Sequence, residues 1–217
     1  MLDTLRERLL SGRYEPLTPL RLKPLADELG VSTMPVRAAL ARLEGEGLVQ
    51  TAPRRGAVVA PIDLDSLDQV QAVRAALEGY AARLGAERIT DAGIVEMREA
   101  LRRVDAATTH EESVAAEWDG YSICHRASGQ QRLIDLVGDH RRMALRYIRL
   151  VMRRNPEFSV AAHSNLDRLI EACDRRDGET AERVLREAMA WTGQEVRALL
   201  QGTDGSVPRT TVGKDVG

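Results

Sequence analysis

The sequence predicts a mainly α-helical chain with one short two-stranded hairpin near its N-terminal end. Apolar residues recur at three- and four-residue intervals through most of residues 64–201, the spacing of a buried helix face, with no useful run of period-two alternation. Aromatics are only 3% of a chain that is 43% hydrophobic, so alanine, leucine and valine must supply the packing, which favours close helices over a sheet sandwich. Between Leu25 and Val58 the texture differs: a short helix, a turn, a longer helix bearing two arginines and a basic-tipped hairpin follow one another.

Leu2, Leu5 and Leu9/Leu10 share one face of an opening helix over Leu2–Leu10. Gly12, Pro16 and Pro19 then turn the chain, and Leu20–Leu22 suits a short strand. Pro24 fits the first turn of a helix running to Glu28, and Gly30 its C-terminal stop. After a turn over Val31–Met34, Ser32 suits an N-cap whose hydroxyl accepts an orphan backbone N–H, and Pro35 sits in the first turn without losing a bond. Val36, Leu40 and Leu43 give this helix a buried stripe that leaves Thr33, Arg37 and Arg42 pointing elsewhere, and Gly47 ends it. Leu48–Thr51 and Ala57–Ala60 read as two strands about the turn Pro53-Arg54-Arg55-Gly56. Pro61 and Asp63 mark a boundary.

Beyond it Leu64, Leu67, Val70, Val73, Leu77, Tyr80, Ala81 and Leu84 keep helical spacing, and further helices are expected at about 91–107, 113–127, 130–153, 159–176 and 179–201. Residues 202–217 lack apolar periodicity and are expected to be a disordered tail. The expected division is a winged helix-turn-helix over 1–62, an all-helical antiparallel bundle over 63–201, and that tail.

The formal net charge is −2, which taken alone argues against a general nucleic-acid binder. Its distribution says more: residues 1–62 carry nine basic and seven acidic side chains, whereas 63–217 carry 22 and 26. Cys124 and Cys173 lie within helical patterns and read as core packing. Charges interrupt every apolar stretch and no signal peptide is evident, so the expected setting is the cytoplasm, away from a membrane. Serines and histidines stand in no nucleophile-elbow or metalloprotease spacing, and no Gly-rich phosphate loop follows a strand, so an enzyme is not expected.

A major-groove reader needs a rigid helix, side chains that reach base edges and positive charge for phosphates. Arg37 and Arg42 are five positions apart, so one can reach bases while the other grips phosphate. Ser32 and Thr33 stand at the helix N-terminus, where free N–H groups favour phosphate. Arg54, Arg55 and Gly56 form the wing tip, within reach of the backbone or the minor groove. The block VSTMPVRAALARLEGEGLV, followed by PRRGAVV, resembles the N-terminal domain of the GntR family of bacterial transcription regulators. Pro35, Val36, Arg37, Ala39, Leu40, Arg42, Leu43, Glu44, Gly47, Leu48 and Gly56 agree with the family pattern. Thr33, Met34 and Ala38 depart from the arginine, threonine and glutamate usual there.

Val73–Thr90, with Ser128–Leu136, Arg141–Leu150 and Ala161–Asp177, resembles the all-helical effector domain called FCD, which defines the FadR branch of that family. Most such domains hold a divalent metal with one aspartate and three histidines. The resemblance puts Glu117 at the aspartate, Tyr121 and His163 at two histidines, and Ala188 at the third. This set is too poor in ligands, so no metal or other cofactor is expected; His125, with Asp119 or Tyr121 nearby, is the alternative ligand. The resemblance implies an effector pocket in which Tyr121 and His163 hydrogen-bond a small molecule. Arg74 and Arg146 could pair with a carboxylate on it, or each could form a structural pair with Glu78 or another acid. The implied protein is a homodimeric, ligand-responsive repressor on an inverted-repeat DNA operator. The alternative is a constitutive DNA-binding regulator whose effector pocket has decayed.

Overall fold

The computed structural model describes residues 1–53, 55–152 and 158–202. Among these lie nine helices and one two-stranded antiparallel sheet, the mainly α architecture expected. Helices α1 (Leu2–Leu10), α2 (Leu22–Leu29) and α3 (Thr33–Gly45) precede strands β1 (Val49–Ala52) and β2 (Gly56–Val59). Then come α4 (Leu64–Arg88), α5 (Asp91–Ala106), α6 (His110–Ala127), α7 (Gln131–Met152), α8 (Phe158–Asp174) and α9 (Gly178–Gly202). Arg54 and residues 203–217 of the expected tail lie outside the described residues; Gly202 itself closes α9.

The N-terminal elements bury a core of their own: Leu5 and Leu9 of α1, Leu25 of α2, Val36, Leu40 and Leu43 of α3, and Val49 and Val59 of the hairpin. Gly30 closes α2 in the left-handed region at φ 66°, the conformation that favours glycine. The hairpin pairs Val49 with Val59 and Ala52 with Gly56. The expected strand at Leu20–Leu22 does not form, because Leu22 already opens α2. Instead Pro19 makes a single bridge to Val58, Leu20 N–H donates to the Ala57 carbonyl at 2.8 Å and Val59 N–H to Thr18 at 3.0 Å. Pro24 permits the earlier start, since the N–H it lacks is one that a first turn leaves unpaired anyway. Ser32 stands at the N-cap of α3 as expected, but its hydroxyl makes no capping bond.

The later helices pack as a bundle around α4, α6, α8 and α9, with Met97, Tyr121, Leu166, Leu169 and Leu185 fully buried at its heart. α6 starts three residues before the expected 113 because Thr109 and Glu112 make a reciprocal capping box: Glu112 N–H donates to Thr109 Oγ1 and Thr109 N–H to Glu112 Oε2, both at 3.2 Å. Asp63 caps α4 by accepting from Ser66 N–H at 2.8 Å. Small residues set the helix spacing. A Cβ at Gly85 of α4 would lie 2.0 Å from the Cys124 carbonyl oxygen of α6, so the two backbones cross too closely for a side chain. Cys124 and Cys173 lie buried beside this crossing as free thiols, their Sγ atoms 3.6 Å apart.

Gly85→Ala is therefore expected to lower the unfolding free energy by about 3 kcal/mol, through forced separation of α4 and α6. Urea denaturation read by circular dichroism measures it; an unchanged midpoint would mean the crossing yields without cost.

Candidate functional site

Helix α3 buries Val36, Ala39, Leu40 and Leu43 and turns Thr33, Met34, Arg37, Ala38 and Arg42 to the surface. Met34 is 70% exposed at the N-terminal end of the helix, beside the uncommitted Ser32 hydroxyl. Arg55 is exposed at the wing tip, next to Gly56 at φ 71°. Arg37, Arg42 and Arg55 form no ion pair among the described residues, whereas nearby acids are engaged. Glu46 accepts two bonds from Arg6, at 2.7 and 2.8 Å. Glu28 accepts from Arg8, Arg13 and Tyr14, and Glu44 from Thr51. The exposed arginines thus keep their field for an outside partner.

Of the five expected effector residues, the structure brings three together. Arg74 of α4 and Glu117 and Tyr121 of α6 line a small interior cavity of about 20 Å³, enough for roughly one water-sized sphere. Arg141 and Ile148 of α7, Asn165 of α8, and Ala188, Met189, Trp191 and Thr192 of α9 complete it. Arg74 is 1% exposed and its Nε donates to Glu78 Oε1 at 2.7 Å, so the structural pair with Glu78 is present beside the cavity. Tyr121 Oη donates to Glu117 Oε1 at 2.7 Å. Burial pushes the Glu117 carboxyl above its usual range, against the pull of Arg141 and Tyr121, and burial with Glu117 beside it pushes the Tyr121 phenol well up.

The other two stand elsewhere. His163, part-exposed, pairs through Nδ1 with Asp105 at 2.5 Å and does not line the cavity; Asn165, two positions on, does. Arg146 turns away from the cavity toward the winged elements, donating to the carbonyl oxygens of Gly47 at 3.3 Å, Pro61 at 2.7 Å and Ala60. Met143 and Leu145 of α7 reach the same junction: a Cβ at Gly47, itself at φ 68°, would lie 2.6 Å from Met143 Cε, and Leu145 packs on the winged core. Sequence reasoning missed Arg141. Its signal was a charge on the stripe Val137, Ala144 and Ile148, all buried at helical spacing.

The donor set does not suit the metal usual in this fold. Among the described residues no three His, Cys, Asp or Glu side chains converge, and the cavity already carries two guanidinium groups. His125 faces Trp118, ring centroids 5.9 Å apart, with neither ring nitrogen hydrogen-bonded.

A winged helix-turn-helix joined to an all-helical bundle with an enclosed polar cavity defines a class of DNA-binding regulator. Residues 2–59 match the bacterial regulatory proteins of the gntR family, and residues 69–190 match the FCD domain. The chain belongs to the GntR family, with an FCD domain as its helical part, and is a DNA-binding transcriptional regulator. It is 24% identical over 202 residues to the HTH-type transcriptional repressor RspR of Escherichia coli, covering 91% of this chain and 87% of RspR. It is 33% identical over 105 residues to the E. coli regulator McbR, an alignment spanning 48% of each. The solved structure of E. coli McbR/YncC shares the fold, with TM-score 0.74 and 24% identity over 93% of this chain and 95% of that one. So does a putative GntR regulator from Rhodococcus sp. RHA1, with TM-score 0.70 and 18% identity over 91% and 95%.

Burial lowers the His125 pKa from 6.5 to about 4, with Arg74, Arg126 and Arg141 lowering it further and Glu78 opposing. A depressed folded-state pKa gives stability that is present above about 6.5 and lost as pH falls toward 4. The wild-type protein is thus expected to lose about 3 kcal/mol across that window on account of this one imidazole. His125→Phe should flatten that part of the profile; an unaltered profile in urea titrations would rule the histidine out.

Proposed function

We propose that this chain is a ligand-responsive repressor that binds an inverted-repeat operator as a homodimer and leaves it when a small molecule enters the bundle. Residues 1–62 serve as the DNA-binding domain and 63–201 as the sensing and dimerisation domain, working in the cytoplasm and not as an enzyme. Ser32, Thr33, Arg37, Arg42, Arg54, Arg55 and Gly56 meet DNA. Arg37 is the base-reading candidate, Arg42 and Arg55 the phosphate grips. A two-fold protein presents two recognition helices, so the operator shares that symmetry.

The observation that supports ligand response is the course of α7. Arg141 of this helix lines the interior cavity, and five residues on Arg146 grips three backbone carbonyls where the winged elements join the bundle. An occupant that displaces Arg141 therefore strains the same helix that holds the reader. Coupling then needs only that the ligand prefer one of two α7 positions. Arg74, Glu117 and Tyr121 face such a ligand; Arg146 acts as the transmitter and His163 stands outside the contact set.

One observation favours the second reading, a constitutive regulator with a decayed pocket: the cavity has only about 20 Å³. Thermal-shift screening of metabolites, each hit then tested for operator release, separates the two. A hit that frees DNA removes the constitutive reading, and hits without release support it.

Arg37→Ala is expected to weaken specific operator binding by about 1–3 kcal/mol and to relax base preference, while Arg55→Ala weakens all sequences alike and shallows the salt dependence. Fluorescence anisotropy on operator and scrambled duplexes measures both, and no change in either would mean the reading helix is misassigned. Arg146→Ala should cost about 2 kcal/mol, as a charged donor leaves several carbonyls, and should split one calorimetric unfolding transition into two. A single transition at the wild-type midpoint would count against the grip.

A further inference from the structure

Among the described residues Arg141 alone is common to the interior cavity and to a groove of about 350 Å³ on the outer face between α6 and α7. It is 6% exposed, and its guanidinium lies over the Trp118 ring at 5.1 Å from the centroid. Arg149, Arg142 (paired with Asp139) and Glu111 stand on the same groove, so its rim carries both signs of charge while Arg141 carries positive charge inward. Among the described residues Arg141 makes no hydrogen bond and no ion pair, unlike Arg74, whose charge Glu78 matches at 2.7 Å. Among the described residues Glu117 is the only carboxylic acid on the cavity wall; it takes its hydrogen bond from Tyr121, and burial favours its neutral form. A buried guanidinium left in this state is costly, and an oxyanion held in a bidentate pair removes the cost. The remaining wall joins the apolar Ile148, Ala188, Met189 and Trp191 to the neutral polar Asn165 and Thr192.

We propose that the cavity binds an organic carboxylate directly through Arg141, which stands in for a divalent metal, and that Arg141 stacked on Trp118 closes the passage from the α6–α7 groove. This rests on the effector reading above and names its ligand class and its route. When Arg141 swings off Trp118 to meet the carboxylate, the interior and the groove become one space able to take the apolar body of the ligand. A metal cation has no comparable welcome, because two guanidinium groups already face the site.

The two tryptophans stand at the gate and in the cavity wall, so intrinsic fluorescence of the full chain reports on both. Benzoate, hexanoate, citrate and inorganic phosphate are titrated in EDTA and again with added zinc or nickel, alongside benzamide and hexanamide. The expected result is a saturable change with at least one carboxylate in EDTA, unaltered by metal, weaker with phosphate and absent with the amides. Arg141→Gln should weaken it at least ten-fold and Arg141→Lys less, while Trp118→Leu, read through Trp191, should speed association more than it changes affinity. Binding that requires metal, equal binding to Arg141→Gln, a preference for phosphate, or silence from every carboxylate overturns the assignment. An unchanged rate in Trp118→Leu overturns the gate. An amide that binds and frees operator DNA sinks the carboxylate but keeps the effector reading. A carboxylate that binds through Arg141 without touching DNA affinity does the reverse.

Discussion

Charge buried at the centre of the helical bundle is the constraint on which the rest of this structure turns. Arg74, Glu78, Glu117 and Arg141 are all at most 8% exposed, gathered where α4, α6 and α7 meet. Taking such groups out of water costs several kcal/mol each unless partners replace the lost hydration. Hydrophobic packing alone would exclude them, so the helices must hold them in register, and they do so through one tight pair and one phenol–carboxyl bond. The imbalance is instructive: Glu78 Oε2 and both His125 nitrogens have no hydrogen-bond partner among the described residues. A polar interior that is only partly satisfied is poised for change more than it is optimised for stability.

The winged elements meet this bundle along α7, beside the first turns of α4. α7 touches the winged core with Leu145, presses Met143 on Gly47 and closes three carbonyls with Arg146. Arg146 is part-buried, and burial lowers its pKa, so its charge serves the junction more than solvent. The winged elements apply the opposite policy. Glu28 and Glu46 are tied to arginines of α1 and its following turn, so the exposed arginines of α3 and the wing face outward without local acids bound to them. One part of the chain hides its charge to hold a shape; the other frees it to meet a polyanion.

The fold was largely legible because its signals were local and periodic. The Val36, Leu40 and Leu43 stripe, the Gly30 stop and the basic hairpin each specify their own geometry within a few residues. The cap at Thr109 was equally local, a Thr-x-x-Glu box, yet lay just ahead of the apolar run that marked the helix. The cavity was only half legible. Glu117 and Tyr121, one turn apart on α6, were readable as a pair facing inward. Arg141 and Asn165 were not, since their meeting with α6 depends on how α7 and α8 pack, a property that periodicity does not carry. His163 misled because a histidine near the head of a helix carries no information on which face the next turn buries, and here Asp105 draws it outward.

The departures from the family pattern in α3 leave packing alone. Thr33, Met34 and Ala38 are all exposed on α3, so none is needed by the winged core, whose contacts come from Val36, Ala39, Leu40 and Leu43. Tyr121 and Ala188, which the family resemblance sets at histidine positions, are the converse: both are buried and line the small cavity, Tyr121 bonding Glu117. A buried carboxyl needs a partner in place of the water it gives up. The Tyr121 hydroxyl supplies that partner to Glu117, while Arg141 nearby makes no ion pair among the described residues.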